Sequence, residues 1–217
     1  MARSLIVFFS QGGTTAQVAE RIASGLRGSG FDQVDLYNLK EVSPPDPTAY
    51  NLLGVGFPVY FFKPPFNVMD YLLSLPDLAG MPFFIFLLYG SKQGDTVKAA
   101  RRVLTGKGGR EVGHFSARGE DFFYGYLKMG YLFSPNHPSA EELRLAEEFG
   151  AQVAERVSRG SGKYAAAPAL HLARCTALKG FFPTAGWYEM FTADCSRSTR
   201  RPAAPAACVS ACVLRVT

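Results

Sequence analysis

Residues 5–15 read Leu5-Ile-Val-Phe-Phe9 and then Ser10-Gln-Gly-Gly-Thr-Thr15. A short continuous apolar run of this kind marks a strand buried on both faces, as in a parallel sheet. The polar hexad that ends it carries two glycines and three hydroxyls. Beyond the hexad, Val18, Ile22 and Leu26 recur at four-residue steps with Ala19 and Ala23 beside them, and Gly28-Ser29-Gly30 stops the pattern. That is the stripe of an amphipathic helix and its end. A buried strand, a tight loop and a helix make the opening unit of an alternating α/β fold.

The same alternation continues outward. Val34 to Leu39, Leu52 to Phe57 and Pro82 to Leu88 read as further strands, each bounded by Gly, Pro or Asp. Arg110 to Ala117 reads as a fifth, less apolar and so nearer an edge. Helical spacing appears in Phe66 to Leu75 and in Thr96 to Leu104, and is weakest between strands two and three. Ser139-Ala-Glu-Glu142 is a capping box, followed by Leu145, Phe149, Val153 and Val157 at four-residue steps. The pattern predicts a doubly wound five-stranded α/β sheet with helices on both faces. It occupies residues 1–158. Residues 159–194 read as a linker whose aromatic stretch, Phe181 to Phe191, is costly to leave in water and is expected to dock. Residues 195–217 read as a disordered, irregular tail.

Composition narrows the function classes. The chain has 217 residues, 47% hydrophobic and 19% charged, with a formal charge of +5. Residues 1–158 are net −1 and residues 159–217 net +6, so the basicity belongs to the tail. Without aromatic and basic residues interleaved there, a nucleic-acid partner is not expected. No apolar run reaches the roughly 18–20 residues of a bilayer span. The N-terminal apolar stretch is too short for a secretory signal, so a cytoplasmic protein, monomer or homodimer, is expected. Cys175, Cys195, Cys208 and Cys212 all follow residue 174, which leaves the main domain to work without a thiol.

In a parallel α/β sheet, ligands bind beyond the carboxyl ends of the strands. Three loops there are unusual. Ser10, Gln11, Gly12, Gly13, Thr14 and Thr15 place hydroxyls and backbone N–H groups at a helix N-terminus, where a phosphate fits. No Lys follows the glycines and the dinucleotide spacing is absent, so a monophosphate held by neutral donors suits the hexad better. A plain capped turn would also account for it. Phe57 to Pro65, with Pro58, Val59, Tyr60, Phe61 and Phe62, sets aromatics between prolines. Tyr89, Gly90, Ser91 and Gly94 form a loop in which glycine lets a ligand lie against the backbone. The two loops could bracket a flat ring, or only cover the sheet edge.

Ser10-x-x-Gly13-x-Thr15, Gly56-Phe-Pro-Val-Tyr60 and Tyr89-Gly-x-x-x-Gly94 together resemble the flavodoxin family, over about residues 4–158. The nearest variety is the flavodoxin and ferredoxin fusion proteins of anaerobic prokaryotes. The resemblance implies strand order 2-1-3-4-5 and noncovalent FMN. It implies Ser10, Gly13, Thr14 and Thr15 at the phosphate, and Pro58, Tyr60, Phe61, Tyr89 and Gly90 at the ring. Gln11 stands where relatives usually have Gly, Gly12 where they have Thr, and Thr14 where they have Asn, so the hydroxyl at position 12 is lost. The near-neutral domain also departs from the acidic habit of the family, which bears on its redox partner proteins.

The fusion proteins carry a part with two four-cysteine runs for 4Fe–4S clusters. Here Cys195 and Cys208-x-x-x-Cys212 lack that spacing, and the tail reads as a degenerate or frame-shifted remnant, so no cluster is expected. His114, His137 and His171 share no helical spacing with a carboxylate, and no metal is expected. The absence of a nucleophile elbow argues against a hydrolase. The resulting expectation is an FMN electron carrier. Its alternatives are an FMN-dependent NAD(P)H:quinone-type reductase and a flavin-free interaction domain. The aromatic segment Phe122 to Phe133 fits a flavin shield, a core cover or a partner surface, with cover of the core or of an interface the more usual role of such a stretch.

Overall fold

The computed structural model describes residues 1–160 and 213–215. In chain order the elements are β1 (Arg3–Phe8), α1 (Thr14–Arg27), β2 (Gln33–Asn38), a 3-10 turn (Pro47–Ala49), β3 (Leu52–Pro58), α2 (Phe66–Ser74) and β4 (Pro82–Tyr89). There follow α3 (Thr96–Gly106), β5 (Arg110–Arg118), α4 (Tyr124–Lys128), β6 (Tyr131–Phe133), α5 (Ala140–Ser158) and β7 (Val213–Arg215). Strands β1 to β5 form one parallel sheet in the order β2-β1-β3-β4-β5, as expected. The linker beyond residue 160, with the aromatic stretch Phe181 to Phe191, lies outside the described residues, as does the tail apart from β7. That strand pairs antiparallel with β6.

Two elements depart from the sequence pattern. The connection between β2 and β3 holds only the 3-10 turn, because Pro44, Pro45 and Pro47 remove three N–H donors and restrict the residues before them. Asp46 caps that turn, its Oδ1 accepting the Thr48 N–H at 2.9 Å. The connection from β5 to α5 is the other departure. Its aromatic residues form α4 and β6 and do not run as a plain loop.

The apolar runs are continuous because the sheet is covered on both sides. Successive side chains of a strand point to opposite faces. Ile6 and Phe8 therefore join Val18, Ile22, Phe84, Phe86, Phe149 and Val153 under α1 and α5. Leu5 and Val7 join Leu53, Val55, Phe57, Leu72, Phe83, Ile85 and Leu104 under α2 and α3. Large and small residues alternate across the β3–β4 pair. Gly54 lies beside Phe84 and Gly56 beside Phe86 in register. A Cβ added at Gly54 would sit 2.3 Å from the Phe84 ring, and one at Gly56 would sit 1.9 Å from the Phe86 ring. The rings therefore lie over bare backbone, and Phe149 of α5 meets Phe84 edge-on at 5.8 Å. On the outside of that layer, Gly25 and Gly150 let α1 and α5 touch backbone to backbone.

Helix α5 starts from the expected capping box. Ser139 Oγ accepts the Glu142 N–H at 3.2 Å, and Glu142 Oε2 accepts the Ser139 N–H at 2.7 Å. Glu142 also accepts the Arg118 N–H at 3.0 Å and pairs with His137 Nδ1 at 2.6 Å. Burial pushes its carboxyl up, but these donors outweigh it and hold the group below the usual carboxylate value. A depressed carboxyl stabilises the fold above its unfolded pKa and loses that contribution as pH falls through the folded value.

Two outcomes are expected. Gly56→Ala forces the Phe86 ring to move and lowers stability by about 1–3 kcal/mol, read as a lower urea midpoint at unchanged slope. An unaltered midpoint would show that the two strands are not packed this closely. Glu142→Gln flattens the loss of stability on the acid side of neutrality, and parallel acid titrations of both proteins by circular dichroism measure it.

Candidate functional site

The loops after β1, β3 and β4 leave the same end of the sheet, and side chains tie them together. Ser10, 4% exposed, is clamped from the neighbouring strand: Asn38 Oδ1 accepts its N–H at 3.2 Å and Asn38 Nδ2 donates to its carbonyl at 3.3 Å. Its Oγ in turn accepts the N–H groups of Gly13 at 3.2 Å and Ala16 at 3.3 Å. Gly13 sits at φ +91°, where an L side chain is strained, and turns the chain into α1 without a side-chain cap. The N–H groups of Gln11, Gly12, Thr14 and Thr15 have no acceptor among the described residues. A helix start with unpaired donors and no negative side chain in its first turn favours an anion.

The loop after β3 is a two-residue hairpin turn. Tyr60 and Lys63 exchange both backbone hydrogen bonds at 3.0 Å, which puts Phe61 and Phe62 at the tip with φ of 50° and 63°. Positive φ at both central residues is the geometry that Asn-Gly normally supplies. Two phenylalanines there are strained and are held by contacts. Phe61 meets Phe123 edge-on at 5.5 Å, and Phe62 lies over Gly94 of the loop after β4. Tyr60 donates its hydroxyl to Gln11 Oε1 at 2.9 Å, across to the first loop. Gln11, which departs from the family pattern, thus joins the two loops.

Among the remaining expected residues, Pro58 ends β3 and Val59 extends the ladder, its N–H donating to the Leu88 carbonyl at 2.8 Å. The side chains of Val59 and Tyr89 pack against the α2 and α3 side of the core. Ser91 is exposed on the loop after β4. Gly90 is enclosed: its carbonyl accepts the Ser134 hydroxyl, and Asp121 Oδ2 lies 2.8 Å from where its Cβ would be.

The β5–α5 connection supplies one residue that sequence reasoning missed, Asp121, beside the aromatic segment that it singled out. Asp121 lies at Gly90, Phe122 comes within 3.8 Å of a Cβ placed at Gly12, and Phe123 packs on Phe61. The segment therefore reaches all three loops. Burial pushes the Asp121 carboxyl above its usual value, only partly offset by the Phe123 N–H at 3.0 Å. Burial also raises the phenols of Tyr60 and Tyr126, with Asp121 adding to both. The only sequence signal for Asp121 was its place as an acid just past the end of a strand, ahead of the aromatic segment Phe122 to Phe133. Among the described residues, no cluster of His, Cys, Asp and Glu has metal-binding geometry, and no helix is long and apolar enough to cross a membrane.

Comparison with known proteins bears on the family and the fold. A family model described as a flavodoxin domain matches residues 5–125. An uncharacterized protein of Methanocaldococcus jannaschii is 27% identical over 148 residues, covering 64% of this chain and 89% of that protein. A solved flavodoxin from the domain Archaea superposes with a TM-score of 0.54 at 17% identity, over 72% of this chain and 99% of its own. The oxidised Flavodoxin 1 of Bacillus cereus gives 0.57 at 17%, over 71% and 98%. Rubredoxin oxygen:oxidoreductase of Desulfovibrio gigas gives 0.55 at 16%, over 72% of this chain and 36% of that protein. These likenesses establish a shared fold.

Ser10→Ala leaves the Gly13 and Ala16 N–H groups without their acceptor. The expected cost is about 1–2 kcal/mol, with faster amide exchange confined to residues 11–16. Exchange rates equal to those of the unaltered protein would mean that the hydroxyl does not organise the loop.

Proposed function

Because the chain belongs to the flavodoxin domain family, we propose that it is an electron carrier that holds FMN noncovalently between these loops. The observation that carries this reading is the set of unpaired N–H groups at Gln11, Gly12, Thr14 and Thr15, facing an aromatic hairpin fixed to the same loop. The donors are neutral, so a phosphate would be held by hydrogen bonds and the helix start. Thr14 and Thr15 add hydroxyls; Thr15 is 2% exposed and its hydroxyl has no partner among the described residues.

When bound, FMN supplies the transfer of one or two electrons. The protein's own part is anchorage, orientation and exclusion of water. Ser10 and Asn38 fix the anion loop, Gln11 and Tyr60 set its spacing from the hairpin, and Phe61, Phe62 and Gly90 bound the space for a ring. In this reading partner proteins exchange electrons with the flavin alone, and residues 195–217 are the remnant of a cluster-binding part. A quinone-type reductase would take hydride from NADPH, and a flavin-free interaction domain would stay colourless.

The purified protein is expected to be yellow, to release FMN in acid and to rebind it. Thr15→Val is expected to weaken FMN by about 10- to 100-fold, the worth of a hydrogen bond to a charged group, while leaving riboflavin binding unchanged. A colourless protein that binds no added FMN would overturn the proposal, and an equal loss for riboflavin would remove the phosphate from this loop.

A further inference from the structure

The large apolar side chains left in water are not scattered over the domain. Of eleven among the described residues, four lie on residues 60–66 and four on residues 122–131. Phe66 is 84% exposed, Tyr124 74% and Phe61 66%. The edge-on contact of Phe61 with Phe123 joins the two segments, and Phe62 over Gly94 adds the loop after β4. Each ring is turned outward for a local reason. Phe66 opens α2 directly after the buried pair Pro64 and Pro65. In α4, Tyr126 packs on Phe123 and Phe133, which leaves Tyr124 and Lys128, four residues apart, to share the exposed flank. Exposed aromatic residues gathered in this way mark an interaction surface.

The charges on the same face have one sign. Lys63 is the only charged residue of segment 60–66, Lys92 of segment 90–94 and Lys128 of segment 122–131, and all three are exposed. Lys92 and Lys128 have no carboxylate in ion-pair distance among the described residues. The flanking acids are engaged elsewhere. Asp95 pairs with Lys98 at 2.8 Å, Glu120 accepts the Asn136 N–H at 2.6 Å, and Asp121 accepts the Phe123 N–H at 3.0 Å. Aromatic and Met side chains within a thin rim of single charges have the composition of a protein interface.

Resting on the carrier reading for the exchange of electrons, we infer that this face docks an acidic electron-carrier protein, with Phe66 and Tyr124 as its apolar anchors and Lys63, Lys92 and Lys128 as its rim. The formal charge of +5 on the whole chain steers a partner of the same sign. A second copy is disfavoured, because a two-fold contact lays the patch on itself and sets lysine against lysine. The chain's own residues 159–217, net +6, repel the rim as well. Three cations on three separate segments, without arginine, do not form the continuous stripe that follows a nucleic-acid backbone.

The experiment uses the full chain and two probes, rubredoxin as a small acidic carrier and cytochrome c as a basic one, with dissociation constants measured by calorimetry. Rubredoxin is expected to bind at about 0.01 M salt and to weaken by about tenfold or more at about 0.15 M, as the screening length falls from about 30 to about 8 Å. Cytochrome c is expected to bind more weakly than rubredoxin at the lower salt. Lys92→Glu combined with Lys128→Glu should weaken rubredoxin by about tenfold at low salt. Phe66→Ala should weaken it by about fivefold at either salt. The FMN content of these variants, read by absorbance, should equal that of the unaltered protein.

Four results would overturn the inference: no rubredoxin binding at low salt, tighter binding of cytochrome c, rubredoxin binding unmoved by the substitutions, or a dimer in sedimentation that Phe66→Ala dissociates. A thymidine oligonucleotide that binds tighter than rubredoxin and is lost with the same lysines would overturn it in favour of nucleic acid. With FMN bound, any of these leaves the carrier reading intact. A protein that binds no FMN yet holds rubredoxin through these residues would overturn the carrier reading and keep the docking surface.

Discussion

The close approach of Phe84 and Phe86 to the bare backbone of Gly54 and Gly56 governs the spacing of the whole sheet on its α1 and α5 side. Two benzyl groups lie flat on the strand beside them, so next to Gly54 and Gly56 the layer between sheet and helices is filled from β4, and β3 adds Leu52 at its start. Phe149 then closes that layer from α5, packing edge-on against Phe84 and tilted against Phe115. Because Gly56 is also the residue whose carbonyl takes the Phe9 N–H at 2.9 Å, the same contact fixes how β1 and β3 end side by side. The polar loop and the aromatic hairpin leave the sheet from those two ends.

Beyond the strands, the site is assembled by polar links between loops that share no secondary structure. Asn38 holds Ser10, Ser10 gathers the first turn of α1, Gln11 reaches the hairpin, and Ser134 holds Gly90. Each link is a single hydrogen bond or a pair, worth little individually after exchange with water. Together they restrict five chain segments, and the restriction is what a rigid planar ligand needs.

The fold was legible because its signals are local. Continuous apolar runs, four-residue stripes and the Ser139 capping box each depend on residues within a turn or two, and the observed elements match them within a residue or two at most ends. Three prolines before Tyr50 explain the one missing helix, and they were visible as letters before they were weighed as missing N–H donors. The site was legible only where a loop carries its own chemistry, as in Ser10 to Thr15. The hydrogen bond between Gln11 and Tyr60 spans 49 positions, and the contact between Asp121 and Gly90 spans 31, so neither has a period or a motif. The segment after β5 looked like undifferentiated aromatic cover because its partners are loops from other strands. Its role comes from the topology that brings those strands to one edge.

The hairpin tip has a consequence for how this sequence tolerates change. Phe61 and Phe62 occupy a backbone shape that glycine or asparagine would adopt with less strain, at a cost of order 1–3 kcal/mol per residue for the side chains present. Drift toward the most stable sequence would therefore replace them, and would remove the edge-on contact with Phe123 and the cover over Gly94 in the same step. Keeping both rings means that the domain gives up conformational ease at the mouth of its site, where a well-packed core elsewhere can absorb the loss. Thermostability and occupancy of that mouth are thus opposing selective pressures on the same two codons.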